Sequence, residues 1–111
     1  MIEITIAATG EKVHRVDVRG HGGGEVGYDI VCAAVSAITE NALAGLLHHN
    51  PKAITWKMGE GSMSIQITDD STTAVSAIVT TMILGLKQIE REYPGRVSLH
   101  LIDDTGIADE A

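Results

Sequence analysis

Ile2, Ile4 and Ile6 alternate with Glu3 and Thr5, the two-residue period of a strand with one buried face, and this predicts a strand over residues 1–8. Thr9-Gly10-Glu11-Lys12 reads as a turn, after which Val13 to Arg19 alternates again through Val16 and Val18. From Ile30 the period changes. A helix is predicted to about His48, apolar nearly all round as far as Leu47, with Ala33, Ala34, Ala37, Ala42 and Ala44 permitting close approach. Such a helix needs cover on more than one side, from a sheet and from a second helix or a subunit partner. His48-His49-Asn50-Pro51 ends it. Neighbouring helix positions point about 100° apart, so the two histidines suit a C-terminal cap better than a metal pair.

A second hairpin is expected where Ala53 to Met58 and Ser62 to Thr68 flank Gly59-Glu60-Gly61. Trp56 has either a place beside a substrate groove or, in better accord with its strand, a role in the core or on the hairpin face. Asp69-Asp70-Ser71 is expected to cap a second helix from about Thr72 to Tyr93, with Val75, Ile78, Val79, Met82, Ile83, Leu86 and Ile89 as its core stripe. Pro94-Gly95 stops that helix and Arg96 to Ile102 alternates as a last strand. The order ββαββαβ predicts an α+β fold, an antiparallel or mixed sheet with two helices, in a single domain over residues 1–103. Residues 104–111 read as an acidic, frayed tail.

With 111 residues the chain can bury a core without disulfides or metals, and one Trp, two Tyr and no Phe make that core aliphatic. A net charge of −7 argues against nucleic-acid binding by phosphate neutralisation and is compatible with a basic partner. The single cysteine excludes an intrachain disulfide, and the first residues lack the basic flank and apolar run of a leader, so a reducing cytoplasm and no membrane are expected. His14 and His100 stand on alternating strands and read as structural or surface residues. No cofactor and no metal are expected.

The chemistry concentrates in Gly20 to Ser36, GHGGGEVGYDIVCAAVS. Asp29 suits the N-cap of the first helix, which puts Cys32 in its first turn. There the backbone N–H groups lack intrahelical acceptors and the helix dipole favours a thiolate over a thiol. The carboxylate of Asp29 opposes this, and the net sign stays open. Five of the eight residues from Gly20 to Gly27 are glycine (Gly20, Gly22, Gly23, Gly24 and Gly27), and a flexible loop of this kind, gating the site, brings the end of a strand back to a helix start. His21 at the far side of the loop then reaches Cys32 as its base. Unpaired amides around Cys32 suit an oxyanion hole, and Ser36, one turn on, shares the face of Cys32.

Gly22, Gly24 and Gly27 also satisfy G-x-G-x-x-G, the dinucleotide-binding fingerprint. Against that reading, the strand before it belongs to a hairpin, and no acidic residue ends a second parallel strand some 20 residues on. A plain surface loop is the other non-catalytic reading.

At Gly20-His21-Gly22 and Asp29-Ile30-Val31-Cys32-Ala33-Ala34-Val35-Ser36 the chain resembles the ribosomal-processing cysteine proteases of bacteria, which carry a GHA motif, a short glycine-containing loop and D-I-V-C-A-x-x-S. The resemblance implies that Cys32 is the nucleophile, His21 the general base, and Asp29 and Ser36 supporting members. It implies the same fold in a homodimer. It also implies removal of the N-terminal extension from a precursor of a large-subunit ribosomal protein of the L-twenty-seven type. Two departures are visible: GHG replaces GHA, and the interval from His21 to Cys32 is one residue shorter than usual in the family. They leave open an alternative, a non-catalytic ribosome-associated binding protein of the same fold.

Overall fold

The computed structural model describes residues 1–20, 30–68 and 72–103. Strands β1 (Ile2–Thr9) and β2 (Lys12–Arg19) form the first hairpin and α1 spans Ile30–His49. A turn of 3-10 helix, Pro51–Ala53, leads into the hairpin of β3 (Ile54–Gly59) and β4 (Ser62–Ile67), and α2 (Thr73–Glu92) and β5 (Val97–Asp103) follow. The predicted order ββαββαβ is the one observed, with element ends within one or two residues of those read from the sequence.

The sheet runs β3-β4-β2-β1-β5. Its pairs are antiparallel except β1 with β5, which run parallel in the register Ile2 to Val97 and Ile4 to Leu99, so the sheet is mixed. Alternation then decides the faces. Ile2, Ile4 and Ile6 of β1, Val16 of β2 and Met63, Ile65 and Ile67 of β4 are buried beneath the helices, while Glu3 of β1 and Gln66 of β4, at intervening positions, are exposed.

Both helices lie on that one face. Val31 and Val35 of α1 join Ile2, Ile4, Ile6 and Leu86 in one cluster, and Leu43 and Leu46 join Met63, Ile65, Val75 and Val79 in another. The helices touch at two glycines: a Cβ at Gly45 would lie 3.3 Å from Ile78 and one at Gly85 would lie 3.2 Å from Ile38. The cover that the apolar α1 needed thus comes from the sheet on one side and α2 on another. Its length and hydropathy match a membrane span, yet Val31, Val35, Ala42, Leu43 and Leu46 are buried in the protein's own core.

Of the stripe predicted on α2, Val75, Val79, Met82, Leu86 and Ile89 are buried, while Ile78 and Ile83 are part-buried and pack against the same core from its edge. The cap of α2 is corrected by one step. The N-cap is Thr72, whose Oγ1 accepts the Val75 N–H at 3.2 Å, while Asp69, Asp70 and Ser71, where the cap was expected, lie outside the described residues. At the far end of α2 the Glu90 carboxylate accepts the backbone N–H of Leu99 at 2.7 Å and ties β5 to the helix. His48 and His49 occupy the last turn of α1 with their rings edge to face at 5.0 Å, as expected of a helix end. His100 sits on the exposed sheet face, its Nε2 3.0 Å from Ser98 Oγ. The tail, residues 104–111, lies outside the described residues.

Candidate active site

Cys32 is the third residue of α1, and its two neighbours in the helical lattice fix where it points. Val31 and Val35 are almost fully buried against the sheet, so the intervening face, which carries Cys32 and Ser36, is turned to the side of the core. There both residues line a groove of about 140 Å³. The 32–36 pairing expected from helical spacing is therefore present. Cys32 is part-buried and packs along the edge of the core cluster.

One wall of the groove comes from Ile2 and Val18, the other from Met58, Gly59, Gly61, Ser62 and Met63 at the β3–β4 turn. These last residues reach Cys32 because β4 pairs with β2, in the register Val18 to Met63 and Arg19 to Ser62. Thr39 closes the floor. Its buried hydroxyl donates to the Val35 carbonyl at 2.9 Å, which satisfies it within the helix. Glu40 lines the groove two turns beyond Cys32.

Gly20 brings the chain to the groove from β2. Its φ is +88°, and an added Cβ would sit 2.7 Å from the Met1 carbonyl oxygen, so only glycine passes here without strain. Its N–H donates to the Gly61 carbonyl at 2.9 Å, which locks the start of the loop to the β3–β4 turn. The next residue is His21. His21, Asp29 and the loop glycines Gly22, Gly23, Gly24 and Gly27 lie outside the described residues.

Sequence reasoning missed Met58, Met63, Thr39 and Glu40 as groove residues. Glu40 carried a signal, since it follows Cys32 and Ser36 at intervals of four. The methionines carried none, because their approach depends on a non-local strand pairing. Trp56, offered as a groove, core or hairpin-face residue, takes the last of these roles and is not in the core. It stands half exposed on the edge strand β3, two residues from Met58.

The sequence and the fold that carry this groove are shared with known proteins. The family model for cysteine protease Prp matches residues 1–98. The chain belongs to that family. The ribosomal processing cysteine protease Prp of Staphylococcus aureus is 35% identical to it over 103 residues, which cover 89% of this chain and 95% of the relative. The crystal structure of an essential ribosomal processing protease Prp from S. aureus with a covalently linked product peptide superimposes with a TM-score of 0.83 at 28% identity, covering 91% of this chain and 99% of that one. The same protease with a substrate peptide gives a TM-score of 0.81 at 28% identity, over the same shares of the two chains. Membership in the Prp family agrees with the ββαββαβ order, the mixed sheet and the single cysteine at the start of α1.

Proposed function

We propose that this Prp-family chain is a cysteine endopeptidase that processes the precursor of a ribosomal protein, with a Cys32–His21 dyad as its machinery. The observation that carries the reading is the groove: Cys32 and Ser36 line it together, and Gly20, the residue before His21, lines it too. The resemblance of the chain to the ribosomal-processing proteases and its 35% identity to one of them supply the substrate class.

In this reading the Cys32 thiol gives its proton to the His21 imidazole, and the thiolate attacks the carbonyl carbon of the scissile peptide bond. The oxyanion that forms is stabilised by the first-turn amides of α1, whose N–H groups have no acceptor within the helix. The imidazolium returns its proton to the departing amine, which leaves a thioester on Cys32. Water, deprotonated by His21, then releases the acid and restores the thiol. Asp29 and Ser36 act as supporting groups, Asp29 as cap and Ser36 as a hydroxyl one turn from the sulfur. A relative with a covalently linked product peptide is in keeping with covalent catalysis. No cofactor enters this chemistry.

We propose further that the substrate is the L-twenty-seven type precursor, that the protein works in the cytoplasm, and that it is a homodimer. The outward seam between α1 and α2, lined by Ile38, Asn41, Ala77, Ile78 and Thr81, holds no acid, lysine or arginine among its described residues and supports self-association. Light scattering that gave a monomer mass at all concentrations would reject the dimer.

The test of the enzyme is incubation with the precursor carrying its N-terminal extension, beside Cys32→Ala and His21→Ala, with products read by mass spectrometry. A single defined cut by the unmodified protein, absent with either variant, is the expected result. Cleavage at an unchanged rate by both variants would reject the dyad. Binding of the precursor without any cut would favour the non-catalytic reading.

A further inference from the structure

Helix α1 carries one charged side chain in its twenty residues, and that charge lies in the groove. It is Glu40. Along the helix Cys32, Ser36 and Glu40 follow one another at intervals of four, which places them in a single row on one face. Glu40 is exposed, lines the same groove as Cys32 and is the only charged residue among its described lining residues. Its carboxylate makes no hydrogen bond or ion pair within the described residues. The rest of the wall is apolar or small: Met58, Met63, Val18 and Gly61. Among the described residues the groove thus carries one charge, an unpaired carboxylate, and such a lining is shaped to tell a cation from a neutral group.

The row also gives a ruler. Eight residues at 1.5 Å each put Glu40 about 12 Å along the helix from Cys32. A substrate backbone lying extended in the groove advances about 3.3 Å per residue, so it covers that distance in three or four residues. We infer that Glu40 is a specificity residue of the proteolytic site, which selects a lysine or arginine three or four residues from the scissile bond.

The inference rests on the proteolytic reading for its reference point, the scissile bond, while the binding part stands on the groove. Glu40 is too far from Cys32 to touch the reacting atoms, so its effect falls on KM and on the choice between substrates. An exposed pair of this kind discriminates by about fivefold at most, and salt weakens it.

The experiment is a peptide scan around the cut. At each of the four positions on either side, lysine, norleucine and glutamate are compared with the unmodified protein, Glu40→Gln and Glu40→Lys, by the ratio of kcat/KM within each variant. Ratios within a variant cancel any change in its folded fraction. The expected result is a preference of about fivefold for lysine at position three or four on one side, lost in Glu40→Gln and turned toward glutamate in Glu40→Lys. Affinities of the same peptides for Cys32→Ala, read by fluorescence anisotropy, should carry the same preference. Absence of cleavage with the charge preference present in binding would sink the dyad and keep the assignment of Glu40. Ratios that stay the same in Glu40→Lys at every position, in cleavage and in binding, overturn it.

Discussion

Replacing Gly20 by alanine tests the site and the fold together, and Gly10 supplies its control. Both glycines have positive φ, +63° at Gly10 and +88° at Gly20. A Cβ at Gly10 meets nothing within 4 Å, whereas one at Gly20 comes 2.7 Å from the Met1 carbonyl oxygen. Gly10→Ala therefore carries only the left-handed backbone cost, about 1 kcal/mol. Gly20→Ala carries that cost and a collision with backbone. The Met1 carbonyl cannot retreat freely, because the following residue, Ile2, is buried and its N–H donates to the Arg96 carbonyl at 2.9 Å. Gly20 must move instead, and its hydrogen bond to the Gly61 carbonyl, worth about 1 kcal/mol, is strained or lost. The expected cost is about 2–3 kcal/mol, against about 1 kcal/mol for the control. In urea unfolding, with a slope of about 1–3 kcal/mol per molar, the midpoint of Gly20→Ala should fall about two to three times as far as that of Gly10→Ala. Peptide cleavage should fall by more than tenfold while the protein is still folded, since the displaced residue lines the groove and leads into His21. Equal midpoints for the two variants would refute the collision, and full activity in Gly20→Ala would refute the claim that this residue sets the approach of the loop.

Two further changes probe the frame around the groove. Thr72→Ala removes the oxygen that accepts the Val75 N–H and should cost about 1 kcal/mol, read as a drop of a few degrees in Tm; an unchanged Tm would mean that the cap contributes nothing. Glu90→Ala takes away the acceptor of the Leu99 N–H and should cost about 1–2 kcal/mol, with hydrogen exchange at Leu99 accelerating more than at Ile4 in the adjoining strand; equal acceleration would mean that the carboxylate does not hold β5.

The parts of the fold that depend on near neighbours in the chain were legible. Ile2, Ile4 and Ile6 announced a half-buried strand, and Val75, Val79, Met82, Leu86 and Ile89 announced one face of a helix; all eight are buried. Strand partners beyond the hairpins were not. A two-residue period says which face a side chain takes and is silent about which strand lies alongside, so neither β2 beside β4 nor β5 parallel to β1 could be read. Helix α1 was legible in extent and not in orientation: it is so uniformly apolar that nothing in its pattern reveals that Ile30 is exposed while Thr39 is buried. The site divides along the same line. Cys32 and Ser36 belong to one helix and their shared face follows from their spacing. Met58 and Met63 come to the same groove only through the pairing of β4 with β2, which no local pattern encodes.

The parallel pairing of β1 with β5 has a consequence in time as well as in space. Ile2 finds its partner in Val97, so β1 waits through the synthesis of both helices and the second hairpin before β5 can join it. A contact spanning nearly the whole chain carries a large loop-closure entropy and slows folding relative to a chain of local hairpins and helices. Until β5 arrives, β1 offers one row of unpaired N–H and C=O groups beside the apolar side chains of Ile2, Ile4 and Ile6, a sticky edge in an emerging chain. The nascent protein is thus most vulnerable to aggregation in the interval before its seventh element is free to dock.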